Sequence, residues 1–592
     1  MSWGDPNNPQ NAPGQAGGDG IIFALAGLVV LVFSLSWVLW LAGALAALLA
    51  GHGWQGGSAG HALPFAASLL GGHSMAVAWA HVHAGGSGPV WLFWPLAVLL
   101  LAAVLVPAVV LLVRYRNRNR PDMGAQWARR GEEKRMVVPE DYRERPNRLV
   151  AGHSETTNRL LAGADCTSAI AFGPNGSGKT VSLVVPAALE WQGPIAVSTA
   201  KGPDLDYMLT ARQQMGPVHI VAPVGLPGRK TSCWSPVAYA TDPASAARMA
   251  RWLADAVAMD DPASKPWVTQ ARQFLGPVLL AANLSGGGVD ALVDFVQRGK
   301  GSEQEVRSVL SGSQYARFLR QYTSIWTNLH ADGIGSVLFT ANNVIDPYLD
   351  PIIRASAVRS DFTAEDILFG DGSLFLVSPP SESKALSPLF TACLATLVYA
   401  IEREFDRLNV GGGPGVPPKP LPRRVLFDLD EAGNVFKYSG LAQLSTTSRA
   451  MGLQLFTIWH DLSQLESLYG EKDAQTILSQ AKLRMVLPGM GDKDSLEHFS
   501  EALGNTVRRR SSVTNASDGR GSTTSNQHES PLMAPWQIRQ LVIGHALVQY
   551  DNLPPMKVKM RNAETDKRLL ALGNGRGLLP AQPSRPVGSV TR

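Results

Sequence analysis

The chain has 592 residues, more than one ordinary domain holds, so two or three domains are expected. Hydrophobic residues make up 45% and charged residues only 17%, which argues against an all-soluble chain. A net charge of +5 does not mark a nucleic-acid binder by composition, and three widely spaced cysteines, Cys166, Cys233 and Cys393, exclude a disulfide framework or a CxxC zinc site.

Residues 1–20 are rich in Gly, Pro, Asn and Gln and carry no Lys or Arg, so a disordered tail is expected rather than a cleaved signal peptide. Ile21 to Ala50 is uncharged and long enough for a tilted transmembrane helix. A second apolar run, from about Pro89 to Val113, has Trp91 and Trp94 as interfacial anchors. It ends at Arg114, Arg116, Arg118 and Arg120, and positive charge directly after a span marks the cytoplasmic side. Two spans then place both termini inside. The intervening loop, 51–88, carries His52, His61, His73, His81 and His83 without a carboxylate or cysteine, and reads as a short polar loop. Residues 62–82 are also uncharged, which leaves a third span or a membrane-lying helix open.

After a basic linker, strands and helices alternate, the pattern of an α/β fold with a mainly parallel sheet. Apolar strands are expected at Ser168–Phe172, Ile195–Ser198, His219–Ala222, Leu374–Val377, Val425–Asp428, Leu453–Ile458 and Arg484–Leu487. Helical periodicity over Ala244–Met259, Trp267–Asn283 and Val289–Gln297 predicts an all-α insertion. Arg508–Ser530, rich in Ser, Thr, Asn and Gly, is expected to be a mobile loop. Its Arg508, Arg509, Arg510 and Arg520 could track a phosphate backbone or simply be solvated.

The strongest local signal is Gly173-Pro174-Asn175-Gly176-Ser177-Gly178-Lys179-Thr180, which has P-loop spacing between a strand and a helix. The glycines let backbone N–H groups wrap phosphates, Lys179 neutralises β/γ oxygens of ATP, and the Thr180 hydroxyl ligates Mg²⁺. The helix that follows offers orphan N–H groups to an anion. Such a site needs a metal carboxylate and a base, and Val425-Leu426-Phe427-Asp428-Leu429-Asp430-Glu431 offers both. Asp430 would hold the metal and Glu431 would orient or deprotonate the water, with Asp428 as an alternative register for the metal carboxylate.

Several stretches resemble the coupling proteins of type IV secretion, the conjugative DNA-transfer ATPases. They are Ala200-Lys201-Gly202-Pro203-Asp204-Leu205, Asp430-Glu431-Ala432-Gly433-Asn434, Ser463-Gln464-Leu465-Glu466-Ser467-Leu468-Tyr469-Gly470, the run from Gly491 to Gly504, and Pro531-Leu532-Met533-Ala534-Pro535. The resemblance implies a RecA-like P-loop NTPase domain with an inserted all-α domain behind a two-helix transmembrane anchor. It implies ATP and Mg²⁺ as cofactors and a homo-hexameric ring in the cell membrane, with the ATPase domain cytoplasmic. The implied partners are DNA, a relaxase or secreted protein, and channel components. Each nucleotide site would be completed by a neighbour's arginine, for which Arg449 is the candidate, with an ordinary surface ion pair as the alternative. Two positions depart from the family pattern: His460 stands where a phosphate-sensing glutamine is usual, and Thr199 or Ala200 where an Asp often precedes Lys-Gly.

The expected organisation is a tail (1–20), the anchor (21–113), a basic linker (114–150), a nucleotide-binding domain (151–240 and 366–570), the all-α domain (241–365) and a disordered tail (571–592). Two other functions fit the same residues. One is a membrane-anchored double-stranded DNA translocase of the chromosome-partitioning type. The other is a substrate receptor with a degenerate ATPase.

Overall fold

The computed structural model describes residues 19–57, 59–118, 124–260, 266–413, 415–515 and 521–577; of the expected tail at 1–20, residues 1–18 lie outside them and Asp19 and Gly20 begin a helix. The chain divides into two units, Met1–Asp122 and Met123–Arg592.

The first unit is helical: α1 (Asp19–Leu49), α2 (Ala59–Leu70), α3 (Met75–Ala80) and α4 (Val90–Arg118). Two apolar stretches, Val32–Leu49 in α1 and Val90–Leu111 in α4, are long enough to cross a membrane, and the second is exposed along nearly all its length. The segment between them is not a simple polar loop. Phe65 and Trp79, from α2 and α3, pack with Trp40 and Phe93 in a small buried cluster. Trp40 Nε1 donates to His83 Nε2 at 3.0 Å, and the His61 ring stacks on His83 with centroids 5.0 Å apart. At 12 residues α2 is about 18 Å long, shorter than a hydrocarbon core of about 30 Å.

The second unit is built on an 11-stranded sheet in the order β2-β1-β13-β12-β9-β3-β8-β7-β4-β6-β5. Its parallel part comprises β3 (Ala169–Phe172), β4 (Ile195–Thr199), β5 (Val218–Val221), β6 (Ser373–Val377), β7 (Val425–Leu429), β8 (Leu453–Trp459) and β9 (Leu483–Val486). These are the expected apolar runs, each within a residue or two, because strands buried on both faces read as continuous hydrophobic stretches. The antiparallel extension, β1 (Val150–Ser154), β2 (Leu160–Ala162), β12 (His545–Tyr550) and β13 (Met556–Lys559), was not expected from the sequence. It brings both ends of the unit onto one side of the parallel core.

Between β5 and β6 stands the helical insertion, including Pro243–Asp260, Val268–Leu284, Gly288–Arg298, Ala316–Asn328 and Ala331–Ile345. Its apolar faces share one continuous core with the sheet, joining Phe274 and Leu279 to Leu374 and Phe427. The helix Ser383–Asn409 is also long and apolar enough to span a membrane, yet it lies buried inside this unit.

Three expectations are corrected. Residues 114–150 are not a free linker throughout: Met136 and Tyr142 are buried, and Val137 bridges Leu161. The C-terminal tail is ordered through Arg576–Gly577, since Lys567–Gly573 is helical and Tyr142 and Arg143 both donate to the Gly577 carbonyl. Of the expected loop Arg508–Ser530, residues 508–515 and 521–530 lie in a two-stranded antiparallel ribbon, β10 (Asn505–Asn515) and β11 (Gly521–Pro531), while 516–520, with Arg520, lie outside the described residues. Serine and threonine there carry no core-facing periodicity, yet cross-strand backbone pairing needs none.

Candidate active site

The P-loop Gly173–Thr180 joins β3 to a helix at the C-terminal edge of the parallel strands. Gly176 and Gly178 have φ of 82° and 84°, a region that costs a side chain about 1–2 kcal/mol. The loop is pinned at its root, where the Gly173 N–H donates to the Trp459 carbonyl at 2.9 Å and Ser177 Oγ donates to the Pro174 carbonyl at 2.8 Å. Asn175 and Gly176 at the crest are exposed. The following helix opens with a π-helical turn, Thr180–Val184, before regular α-helix at Val185–Glu190. Pro186 has no N–H for the Ser182 carbonyl, and the wider turn gives its ring room.

Strand order decides what meets the loop. β8 lies between β3 and β7, so its C-terminal end separates the P-loop from the acidic end of β7. Thr180 Oγ1 spans that gap and donates to Asp430 Oδ2 at 2.7 Å. Ser198 Oγ near the end of β4 donates to the Asp430 backbone carbonyl at 2.7 Å and holds the main chain there from the other side. Asp430 Oδ1 is buried without a hydrogen-bond partner. Burial holds the Asp430 carboxyl above its ordinary range, although the Thr180 bond and Lys179 pull it down. A polar hydroxyl and a half-satisfied buried carboxylate side by side are the donor set that Mg²⁺ takes, so the residues fit that ion.

Asp428 does not share this position. It is fully buried within β7, neither carboxylate oxygen has a partner, and burial, followed by Asp430, pushes its carboxyl well above the usual range. The alternative register is thereby disfavoured, because the P-loop hydroxyl reaches Asp430.

Glu431 is in the left-handed conformation, φ 53° and ψ 48°, an uncommon place for a non-glycine residue. That turn ends β7 abruptly, and Asn434 Nδ2 donates to Glu431 Oε2 at 3.3 Å. His460 follows the last residue of β8. Its Nδ1 lies 3.3 Å from Lys179 Nζ, and its backbone N–H donates to Gln464 Oε1 at 3.1 Å. An ammonium donor requires the unprotonated ring nitrogen, which leaves Nε2 carrying the hydrogen. Lys179 is itself buried, with the Gly173 carbonyl at 3.5 Å.

Around Lys201 the missing acid is supplied from downstream. Thr199 Oγ1 donates to Asp204 Oδ2 at 2.7 Å, and Asp204 is near enough to raise the Asp430 carboxyl. Sequence reading gave no role to Ser198, Asp204 or Gln464. Only Asp204 left a signal, as the acid in Lys-Gly-Pro-Asp.

Arg449 is not brought to this site. It is exposed on the helix Leu441–Met451, which leads into the N-terminal end of β8. Its neighbour Ser448 lies 3.1 Å from Ser168, just before β3 begins. Arg449 therefore sits at the opposite end of the sheet from its own P-loop, about 20 Å away along the seven residues of β8. Cys166 and Cys393 are buried, Cys233 is half-buried, and no cluster of three metal-ligating side chains occurs among the described residues.

Residues 122–562 match the family model described as Type IV secretory system Conjugative DNA transfer. The chain is 24% identical over 530 residues to Protein VirD4 of Rhizobium rhizogenes, covering 83% of this chain and 72% of that protein. Among solved structures it is similar to the bacterial conjugative coupling protein TrwBdeltaN70 in its unbound monoclinic form. The TM-score is 0.54 at 19% identity, over 74% of this chain and 93% of that one. The coupling protein TrwB in complex with the non-hydrolysable ATP analogue ADPNP gives a TM-score of 0.50 at 19% identity, over 74% and 94%. These structural likenesses show the fold.

Proposed function

This chain belongs to the type IV secretory system conjugative DNA transfer family, and on that premise we propose that it is a membrane-anchored P-loop ATPase that couples substrate to a type IV secretion channel. The substrate is DNA with an attached relaxase, or a protein. The Thr180–Asp430 hydrogen bond carries the reading, because it joins P-loop and acidic strand into one site across the end of β8.

Backbone N–H groups of Asn175–Thr180 and the Lys179 ammonium bind the phosphates of ATP. Thr180 and Asp430 would hold Mg²⁺, which would supply positive charge to offset that of the phosphates. Glu431, with Oε2 held by Asn434, takes the proton of the attacking water on its other oxygen. His460 presents its Nε2–H to the γ-phosphate in the sensor position, and Lys179 sets that tautomer. Arg449, too far from its own P-loop, reaches the site of a neighbouring subunit in a homo-hexameric ring. The arginines at the C-terminal end of α4, Arg114, Arg116 and Arg118, set the ATPase domain on the cytoplasmic side, and α1 and α4 form a two-span anchor in the cell membrane.

The test is ATPase rate of the detergent-purified chain, without DNA and with single- or double-stranded DNA, beside Lys179→Ala. Turnover that DNA raises and the variant abolishes is expected. A Lys179→Ala protein hydrolysing at the wild-type rate would overturn the site. A strong preference for duplex would favour a chromosome-type translocase instead.

A further inference from the structure

The β10–β11 ribbon has no part in the ATP site. Its strands pair in unbroken register from Asn505↔Pro531 to Asn515↔Gly521. At about 3.4 Å per residue, eleven residues make a ribbon about 35 Å long. It forms its own two-stranded sheet, and its root is fixed by the Gly124–Thr506 bridge and the Ala125 N–H donating to the Asn505 carbonyl.

Alternate positions of a paired ribbon share a face. The register therefore sorts three consecutive arginines into two sets. Arg508 and Arg510 fall on one face, opposite His528 and Asn526, with Ser512 and Thr514 opposite Thr524 and Ser522. That face has no acidic position. Arg509 falls on the other face with Val507, Val513 and Glu529, the one acid in the two strands. Neither strand contains a Phe, Tyr or Trp, and a single His528 makes no platform on which successive unpaired bases could stack. Two arginines two positions apart among small hydroxyl and amide residues suit a polyanion's repeating phosphates, and a two-stranded ribbon is narrow enough to lie in a duplex groove.

We propose that the Arg508/Arg510 face of the β10–β11 ribbon is a sequence-independent contact for the phosphate backbone of DNA. The proposal rests on the nucleic-acid reading of the ATPase given above and names a surface for it. Arg509, sharing its face with Glu529, is not part of the contact.

The experiment measures binding of the full-length detergent-purified protein to a fluorescein-labelled duplex about three helical turns long, across a salt series. Wild type, Arg508→Gln/Arg510→Gln and Arg509→Gln are compared, with basal ATPase as the control for folding. Each phosphate contact contributes about 0.9 to the slope of log K against log salt on duplex and about 0.7 on single strands. On this duplex the double variant is expected to flatten the slope by about 1.8 and to weaken binding about 60-fold at 0.1 M salt. Arg509→Gln should leave the slope unchanged, and a second duplex of unrelated sequence should bind alike. If the double variant binds as wild type does, or Arg509→Gln flattens the slope as much per arginine, the ribbon contact is refuted: the arginines then only protect exposed strand edges or add net charge. If wild type with normal ATPase binds no DNA, the nucleic-acid reading fails, and the ribbon proposal with it.

Discussion

Glu190 is the last residue of the P-loop helix, and both ends of the globular unit are stapled to it. Arg145 donates to Oε1 at 2.7 Å, and Arg561 donates to both oxygens at 2.6 and 2.7 Å. The side chains are 1%, 5% and 9% exposed for Arg145, Arg561 and Glu190, so water does little to screen the triad. Glu190→Gln keeps the shape and removes the charge, leaving two buried guanidinium groups uncompensated, which costs about 3–5 kcal/mol. At about 2.1 cal/mol/K of unfolding entropy per residue, a unit of roughly 470 residues loses about 1 °C per kcal/mol. The Tm of the globular unit should therefore fall by about 3–5 °C. A thermal melt of the detergent-solubilised chain, with and without ATP analogue, measures it. Burial alone would raise the Glu190 carboxyl, but Arg561 and Arg145 outweigh it and hold it below its ordinary value of 4.5. A depressed carboxylate contributes stability that is present above 4.5 and lost as pH falls through the lower folded value. The gap between wild type and Glu190→Gln should therefore close in acid. Replacing all three residues, Arg145→Met, Glu190→Leu and Arg561→Met, should recover most of the loss. A Tm drop under about 1 °C, or a triple variant no better than the single one, would refute the reasoning.

The two aspartates of β7 should behave in opposite ways. Asp430→Asn should cut turnover by at least about 100-fold by loosening the cation, whereas Asp428→Asn should keep turnover and raise the melting temperature by relieving an unpartnered buried carboxylate. Titration of ATPase against Mg²⁺ separates the two, and equal losses would undo the assignment. Arg449→Ala should bind ATP analogue normally yet turn over about 10³-fold more slowly. Mixing it with Lys179→Ala subunits should restore part of the rate, because each partner supplies what the other lacks; no rescue in a verified mixed assembly argues for a surface arginine. In the anchor, burial and then His61 hold His83 below the ordinary histidine value of 6.5. Stability from the neutral ring is present above 6.5 and lost as pH falls through the lower folded value. Melting of the anchor should weaken on acidification, and His83→Gln, which keeps an acceptor for Trp40, should flatten that dependence.

What the sequence determined by itself were the features whose physics is local. Strands buried on both faces need unbroken apolar runs, so β3 to β9 were visible within a residue or two. A phosphate loop needs glycines at positive φ beside Lys179 and Thr180, and a bilayer needs long uncharged stretches, so these too were written in the chain. Everything that depends on partners distant in the chain was decided by tertiary structure. β1, β2, β12 and β13 are short or mixed in polarity and become strands only because the two chain ends pair with each other. The ribbon's polar strands, including Arg508–Ser512, pair with each other beyond a root bonded to Gly124 and Ala125, and their polar sequence carries no apolar pattern to read. Asp428 and Asp430 are alike in sequence, and it is the placement of β8 between β3 and β7 that gives Thr180 to Asp430 alone. The same strand order sets His460 against Lys179 and leaves Arg449 at the far end of the sheet, because a residue's distance from the phosphate loop follows from strand direction and neighbour order, neither of which local periodicity encodes.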